Sequence, residues 1–167
     1  NSCCLLIANK KFSVCQCALN GNYDMRSFGL NNAIMIAYAF ASCKYNTLLV
    51  HASLVRQNGY GYAFIAKSGT GKSTQVSIYG SPWSGKTPCY RNIKAHLGAI
   101  TQIDRAPQNS IDRLSPIDAL VNFIPACSSI RWDENIYDDI IKNITQVIEK
   151  TPFYILHCLP NKEAAVI

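Results

Sequence analysis

Apolar positions recur along this chain with two periods, one near two and one near 3.6, and the alternation predicts a mixed α/β protein. Residues 3–8 and 12–19 read as two short strands joined by Asn9-Lys10-Lys11. Asn20-Gly21-Asn22 reads as a turn. Asn31 or Asn32 is placed to cap a helix with Ala33, Ile36, Ala37, Phe40 and Ala41 on one face. Leu48 to Thr74 reads as strand, turn, strand and glycine-rich loop, with Asn58-Gly59-Tyr60-Gly61 as a tight hairpin turn and Tyr62 to Ala66 as a buried strand. Leu97 to Ile103 is strand-like, Ala106 to Asn109 turns the chain, and Ile111 to Leu114 is a short strand. Ser115-Pro116-Ile117-Asp118 has the form of a helix start, and that helix stops before Pro125. Asp133-Glu134 opens a further helix with an apolar stripe at Ile136, Ile140, Ile141, Ile144, Val147 and Ile148, ended by Thr151-Pro152. Phe153 to Cys158 is a strand, and Pro160 to Glu163 begins a last helix. The fold class expected is α/β, a mixed twisted sheet with flanking helices. It forms one domain over residues 1–167, with no repeat, low-complexity tract or linker.

Composition narrows this only a little. A chain of 167 residues with 49% apolar and 16% charged positions can bury a proper core. No apolar run approaches the roughly 20 residues of a membrane span; Ala33 to Cys43 is too short and ends at Lys44. No signal peptide is visible, although an opening at Asn1 without Met leaves a removed leader open. The net charge of +6 is scattered, with no basic run longer than Lys10-Lys11, which argues against nucleic acid and for an ordinary surface plus an anion site. The eight cysteines are expected to be reduced and mostly buried in a cytoplasmic protein. Cys3-Cys4 with Cys15-x-Cys17 offers the atoms of a four-thiolate zinc site, but adjacent cysteines are poor ligand spacing and the alternation suits one face of a strand.

The chemistry is concentrated after the hairpin. Ser68-Gly69-Thr70-Gly71 are small, so successive backbone N–H groups can turn inward as a concave anion site. A helix starting at Lys72 or Ser73 would add its own N–H groups and dipole. Lys72 then reaches the β/γ-phosphates, and the Ser73 hydroxyl, followed by Thr74, can ligate Mg²⁺. The pattern G-x-x-x-x-G-K-[ST] asks for glycine at position 66, where Ala66 stands, and alanine suffices there only if φ is negative. A second stretch, Gly80 to Thr87, matches that pattern in full and reads as a decoy. Pro82 lacks an N–H, Trp83 is bulky where a phosphate must approach, and Pro88 biases Thr87 away from helix. Lys86 and Arg91 beside it either face anionic groups or sit solvated on a rigid turn. Between Ser73 and the turn at Gly80 there is barely one helical turn, and no carboxylate occurs between Asp24 and Asp104. Phosphoryl transfer needs an acid for Mg²⁺ and usually another as base. A segment is therefore expected to be missing near Ser77/Ile78, and another near Asn20 to Arg26.

VHASLV, NGYGYAFIAKSGTGKST and GSPWSGKTPCYR together resemble the HPr kinase/phosphorylase-related family, whose P-loop is similar to that of ATP-dependent phosphoenolpyruvate carboxykinase; the likeness extends to HPr-kinase-like proteins of gut anaerobes. It covers roughly Leu48 to Trp132. It implies an HPr kinase/carboxykinase-like sheet, ATP and Mg²⁺ as cofactors, and a phosphate cradle of Ser68, Gly69, Thr70, Gly71, Lys72, Ser73 and Thr74, with Ser73 on the metal. His51 lies near the family's histidine close to the transferred phosphate, and His51, Lys72, Lys86 and Arg91 are the implied catalytic groups. The family's Asp-Asp pair has no counterpart here, and neither its N-terminal domain nor its C-terminal substrate helix is recognisable, so HPr itself is not implied. The expected activity is ATP-dependent phosphotransfer to an unidentified protein or small-molecule acceptor. The alternatives are a non-catalytic nucleotide-binding module and a carboxykinase-like metabolic enzyme. Nucleotide is the expected partner, nucleic acid and membrane are not, and a homo-oligomer is left open. His96 and His157 read as structural, and Asp133 as a helix cap before a base.

Overall fold

The computed structural model describes residues 2–65 and 94–159. The glycine-rich loop, the decoy stretch, the Ser77/Ile78 junction and the last helix lie outside the described residues. The protein is mixed α/β, with a five-stranded mixed sheet, a two-stranded sheet and three α-helices among the described residues. Its chain divides into two compact units, residues 1–49 with 128–143 and residues 50–127 with 144–167.

The first unit opens with the antiparallel strands β1 (Cys4–Ala8) and β2 (Cys15–Leu19), in a register that pairs Leu6 with Cys17 and Cys4 with Leu19. Their connection is held by the Asn9 side chain, whose Oδ1 accepts from the Ser13 N–H at 3.0 Å, and it passes through Phe12 at φ 50°. The helix that follows, α1 (Tyr23–Ser42), starts well before the expected cap. Asn22 caps it, accepting from the Met25 N–H at 2.9 Å, and Asp24 supplies the acid of the first turn. Asn31 and Asn32 are interior, with Asn32 donating back to the Phe28 carbonyl at 2.8 Å. The early start was hidden because apolar residues surround the helix rather than forming a stripe. Tyr23, Phe28, Ile34 and Tyr38 are exposed, while Ala33, Ala39 and Phe40 are buried. Gly29 lets α1 approach β1: a Cβ there would stand 2.7 Å from the Cys4 Cβ. Phe40 meets Phe12 edge-on, with centroids 5.2 Å apart.

Asp133 caps α3 (Glu134–Lys150) as expected, its Oδ1 accepting from the Ile136 N–H at 3.2 Å. Residues 134–143 of α3 belong to the first unit and 144–150 to the second. The apolar stripe is inward: Ile136, Ile140 and Ile144 are all buried.

The second unit is built on strands β3 (Ser53–Gln57), β4 (Tyr60–Ile65), β5 (His96–Arg105), β6 (Ser110–Arg113) and β7 (Phe153–Cys158), in the order β3-β4-β5-β7-β6. The β3–β4 hairpin closes on Asn58 and Gly59, both at positive φ (51° and 83°), the two-residue turn whose twist matches the strands. Strands β4, β5 and β7 run parallel, and β6 returns antiparallel to β7. Register places Ala63, Ile100 and Phe153 on one face, with Ile65 two residues further along it, and all four are buried. Helix α2 (Pro116–Phe123), capped by Ser115, sets Phe123 edge-to-face on Phe153 with centroids 5.2 Å apart.

The expectation of mostly buried thiols does not hold. Of the seven described cysteines only Cys43 and Cys127 are buried, and Cys15 and Cys17 are exposed, because β2 has no cover along its outer length. No zinc site forms at the hairpin: among the described residues no three His, Cys, Asp or Glu side chains gather closely enough to hold a metal. Among the described residues, too, no helix is long and apolar enough to cross a membrane.

Candidate functional site

Three parallel strands bring their carboxyl ends to one end of the sheet, where ligand sites of open α/β sheets form. Strand β4 ends there at Ile65, immediately before the glycine-rich stretch. Because β3 is antiparallel to β4, its first residue, Ser53, lies beside Phe64 at the same end. His51 precedes β3 by two residues and is exposed, its backbone N–H fixed on the Ala126 carbonyl at 2.7 Å. Val50 bridges to Cys127 just before it, so the approach to β3 is anchored on both sides of the histidine.

Asp104 and His157 complete this end. They are register partners on β5 and β7, and the His157 Nδ1 stands 3.5 Å from the Asp104 Oδ2. Both continue the face of Ile100 and Phe153 past its buried part, since each lies an even number of residues further along. The carboxylate is 59% exposed and the imidazole 32%, so water screens the pair and it contributes little to stability. Its placement is the more informative property: an acid and an imidazole side by side at the carboxyl end of the parallel strands. Ser110 of β6 pairs with His157 from the other side. Asp104 lies one residue beyond the stretch expected as a strand and is the penultimate residue of β5. His157, read from sequence as structural, stands beside it because β5 and β7 are adjacent, a pairing that no local pattern encodes.

One further atom marks this end. Ser53 Oγ is buried and has no hydrogen-bond partner among the described residues. An orphaned buried hydroxyl is uncommon and asks for a reason.

The remaining candidates are distributed as follows. Ser68, Gly69, Thr70, Gly71, Lys72, Ser73, Thr74, Lys86 and Arg91 lie outside the described residues. His96 begins β5 and so sits at the opposite, amino end of the parallel strands. Asp133 is the cap of α3. A shallow groove of about 270 Å³, bordered by Arg113, Pro116, Ile148 and Phe153, lies at the amino end of β7 and gathers no acid–base pair. For Mg²⁺, a hard cation that takes oxygen ligands and usually only one or two carboxylates, Asp104 fits as a single carboxylate. The described residues alone do not make a metal group.

No family model, curated protein or solved structure matches the chain.

Proposed function

We propose that this chain is an ATP-dependent phosphotransferase of the HPr kinase/carboxykinase type, with its nucleotide held by Ser68 to Thr74 and its acceptor met at the carboxyl end of β4, β5 and β7. One observation carries the reading. A hairpin with a histidine at its entry feeds the strand that runs directly into SGTGKST, and an Asp–His pair stands at the same end of the sheet. Phosphoryl transfer asks mainly for positioning and for charges that offset those of the phosphates. Lys72 and the backbone N–H groups of the loop would supply that charge, and Ser73 would hold Mg²⁺. The groups at the sheet end would orient the acceptor. His157, whose Nδ1 stands 3.5 Å from the Asp104 carboxylate, would take a proton from an acceptor hydroxyl, and Asp104 would steady the imidazolium that results. His51 adds a second imidazole at the entry of β3.

The scarcity of acids favours a second reading, a nucleotide-binding module without catalysis. No carboxylate occurs between Asp24 and Asp104. The two readings separate in one experiment. ATP binding is measured by calorimetry and ATP turnover by phosphate release, for the parent chain, Lys72→Ala and Asp104→Asn. The kinase reading expects binding lost in Lys72→Ala. In Asp104→Asn it expects binding kept and turnover lowered about 100-fold or more, the scale of a lost acid–base group. Binding without turnover in the parent leaves the module. Equal binding by the parent and Lys72→Ala overturns both.

A further inference from the structure

We propose that Cys4 and Cys17 are a thiol pair that a low-molecular-weight disulfide, such as glutathione disulfide, oxidises to a cross-strand disulfide. Their sulfurs stand 2.9 Å apart, closer than two sulfur atoms sit when merely packed. The register explains the approach. Cys17 faces Leu6 and Cys4 faces Leu19, so the two cysteines are diagonal neighbours on one face of the β1–β2 ribbon, and the twist of a two-stranded ribbon draws such residues together. Bond formation needs the sulfurs to close by about 0.9 Å more.

The surroundings suit the pair to thiol–disulfide exchange. Gly29 is the residue of α1 that faces Cys4, where an added Cβ would stand 2.7 Å from the Cys4 Cβ, so the helix lies close behind the pair. Cys17 is exposed, so a small disulfide can reach it. Cys15, also on β2, directs its thiol to the Phe12 carbonyl at 3.7 Å. The Cys4 thiol is pushed up to about 11, first by sharing its hydrogen with the Cys17 sulfur and then by loss of hydration. Cys17, the more exposed of the two, is the sulfur that a reagent meets first. A metal is not the alternative, because no third ligand joins the pair among the described residues.

The exchange balances in two steps. The Cys17 thiolate attacks one sulfur of the reagent; the reagent's S–S bond breaks and one thiol leaves. The Cys4 thiolate then attacks the Cys17 sulfur of the mixed disulfide and expels the second thiol. The pair loses two electrons to the reagent, and its two protons end on the two released thiols. The product closes the hairpin on which α1 rests and so restrains the unfolded chain.

The test is equilibration of the full chain in glutathione buffers of graded potential, quenched by alkylation and read by peptide mass. The expected product lacks two hydrogens and carries one Cys4–Cys17 cross-link, and the oxidised chain unfolds at a higher urea midpoint than the reduced one. Cys4→Ala is expected to accumulate a stable glutathione adduct on Cys17, since no resolving thiol remains. Cys17→Ser, a change on the exposed strand, is expected to leave Cys4 alkylatable throughout. Cys15→Ser should not alter the cross-link. A glutathione adduct persisting on Cys17 in the parent chain, or a cross-link to Cys3 or Cys15 instead, would overturn the proposal.

Discussion

The Asn143 side chain donates its Nδ2–H to the Cys43 carbonyl at 2.6 Å, in a buried position, across 100 residues of sequence. Cys43 is the cap residue at the end of α1, where carbonyls have no partner within the helix. The same oxygen accepts from the Asn46 N–H at 3.1 Å, so one of its lone pairs is served locally and the other by α3. Asn143→Ala removes only the second bond. The expected loss is about 1–2 kcal/mol, the worth of one buried hydrogen bond and a little packing. It is read as a lower urea midpoint at unchanged slope. A loss below measurement would mean that the buried amide contributes nothing net.

Gly29→Ala tests the approach of α1 to β1. Alanine inside a helix is worth up to about 1 kcal/mol over glycine. Here the added Cβ meets the Cys4 Cβ at 2.7 Å and the Cys3 carbonyl oxygen at 3.0 Å, and one of those atoms is backbone. Overpacking of that kind costs about 1–3 kcal/mol, so the cost is expected to win and thermal unfolding to move downward. An upward shift would show that the helix and hairpin separate more easily than their spacing suggests.

The buried hydroxyl of Ser53 makes the opposite prediction. Its oxygen has no partner among the described residues, and an unsatisfied buried polar atom costs about 1–3 kcal/mol. Ser53→Ala is expected to stabilise the apo chain by about 1 kcal/mol in urea unfolding. The same variant should weaken nucleotide binding if the hydroxyl serves the end of the sheet that holds His51. Destabilisation would show instead that the hydroxyl is already satisfied.

Cys127 gives a pH dependence whose sign is fixed. Burial pushes its thiol from 9.0 up to about 12. Above pH 9 the unfolded chain loses this proton while the folded chain keeps it, so the folded state binds more protons. Its contribution is therefore fully present below about pH 9 and is lost as pH rises toward 12, with a slope near 1.4 kcal/mol per unit. Urea midpoints between pH 8 and 11 should fall more steeply in the parent than in Cys127→Ala. Parallel slopes would mean that the thiol is hydrated in the folded chain.

Some of these relationships are legible in the sequence. The hairpin turn expected over Asn58-Gly59-Tyr60-Gly61 is present but closes in two residues, because Asn58 and Gly59 take positive φ and Tyr60 already pairs with Gln57. The caps Ser115 and Asp133 are equally local. The start of α1 is not legible, because its large apolar residues, Tyr23, Phe28, Leu30, Ile34 and Tyr38, are exposed and mark no single buried face. The Asp104–His157 pair needed the knowledge that β5 lies next to β7, and strand order is set by packing over the whole sheet. The Cys4–Cys17 approach depends on ribbon twist, which spacing along the chain does not express.

The sheet's order also implies an order in time. The β3–β4 ribbon closes over two residues and can form on the scale of about 1–10 μs. The pairings of β5 with β4 and β7 must wait for long crossovers, whose loop entropy is spent before any contact repays it. The hairpin is then the seed and the Ile100–Phe153 pairing the late step. Substitution at Gly59 should slow refolding, whereas Phe153→Leu should mainly hasten unfolding, and stopped-flow traces with the reverse assignment would put the nucleus on the parallel strands.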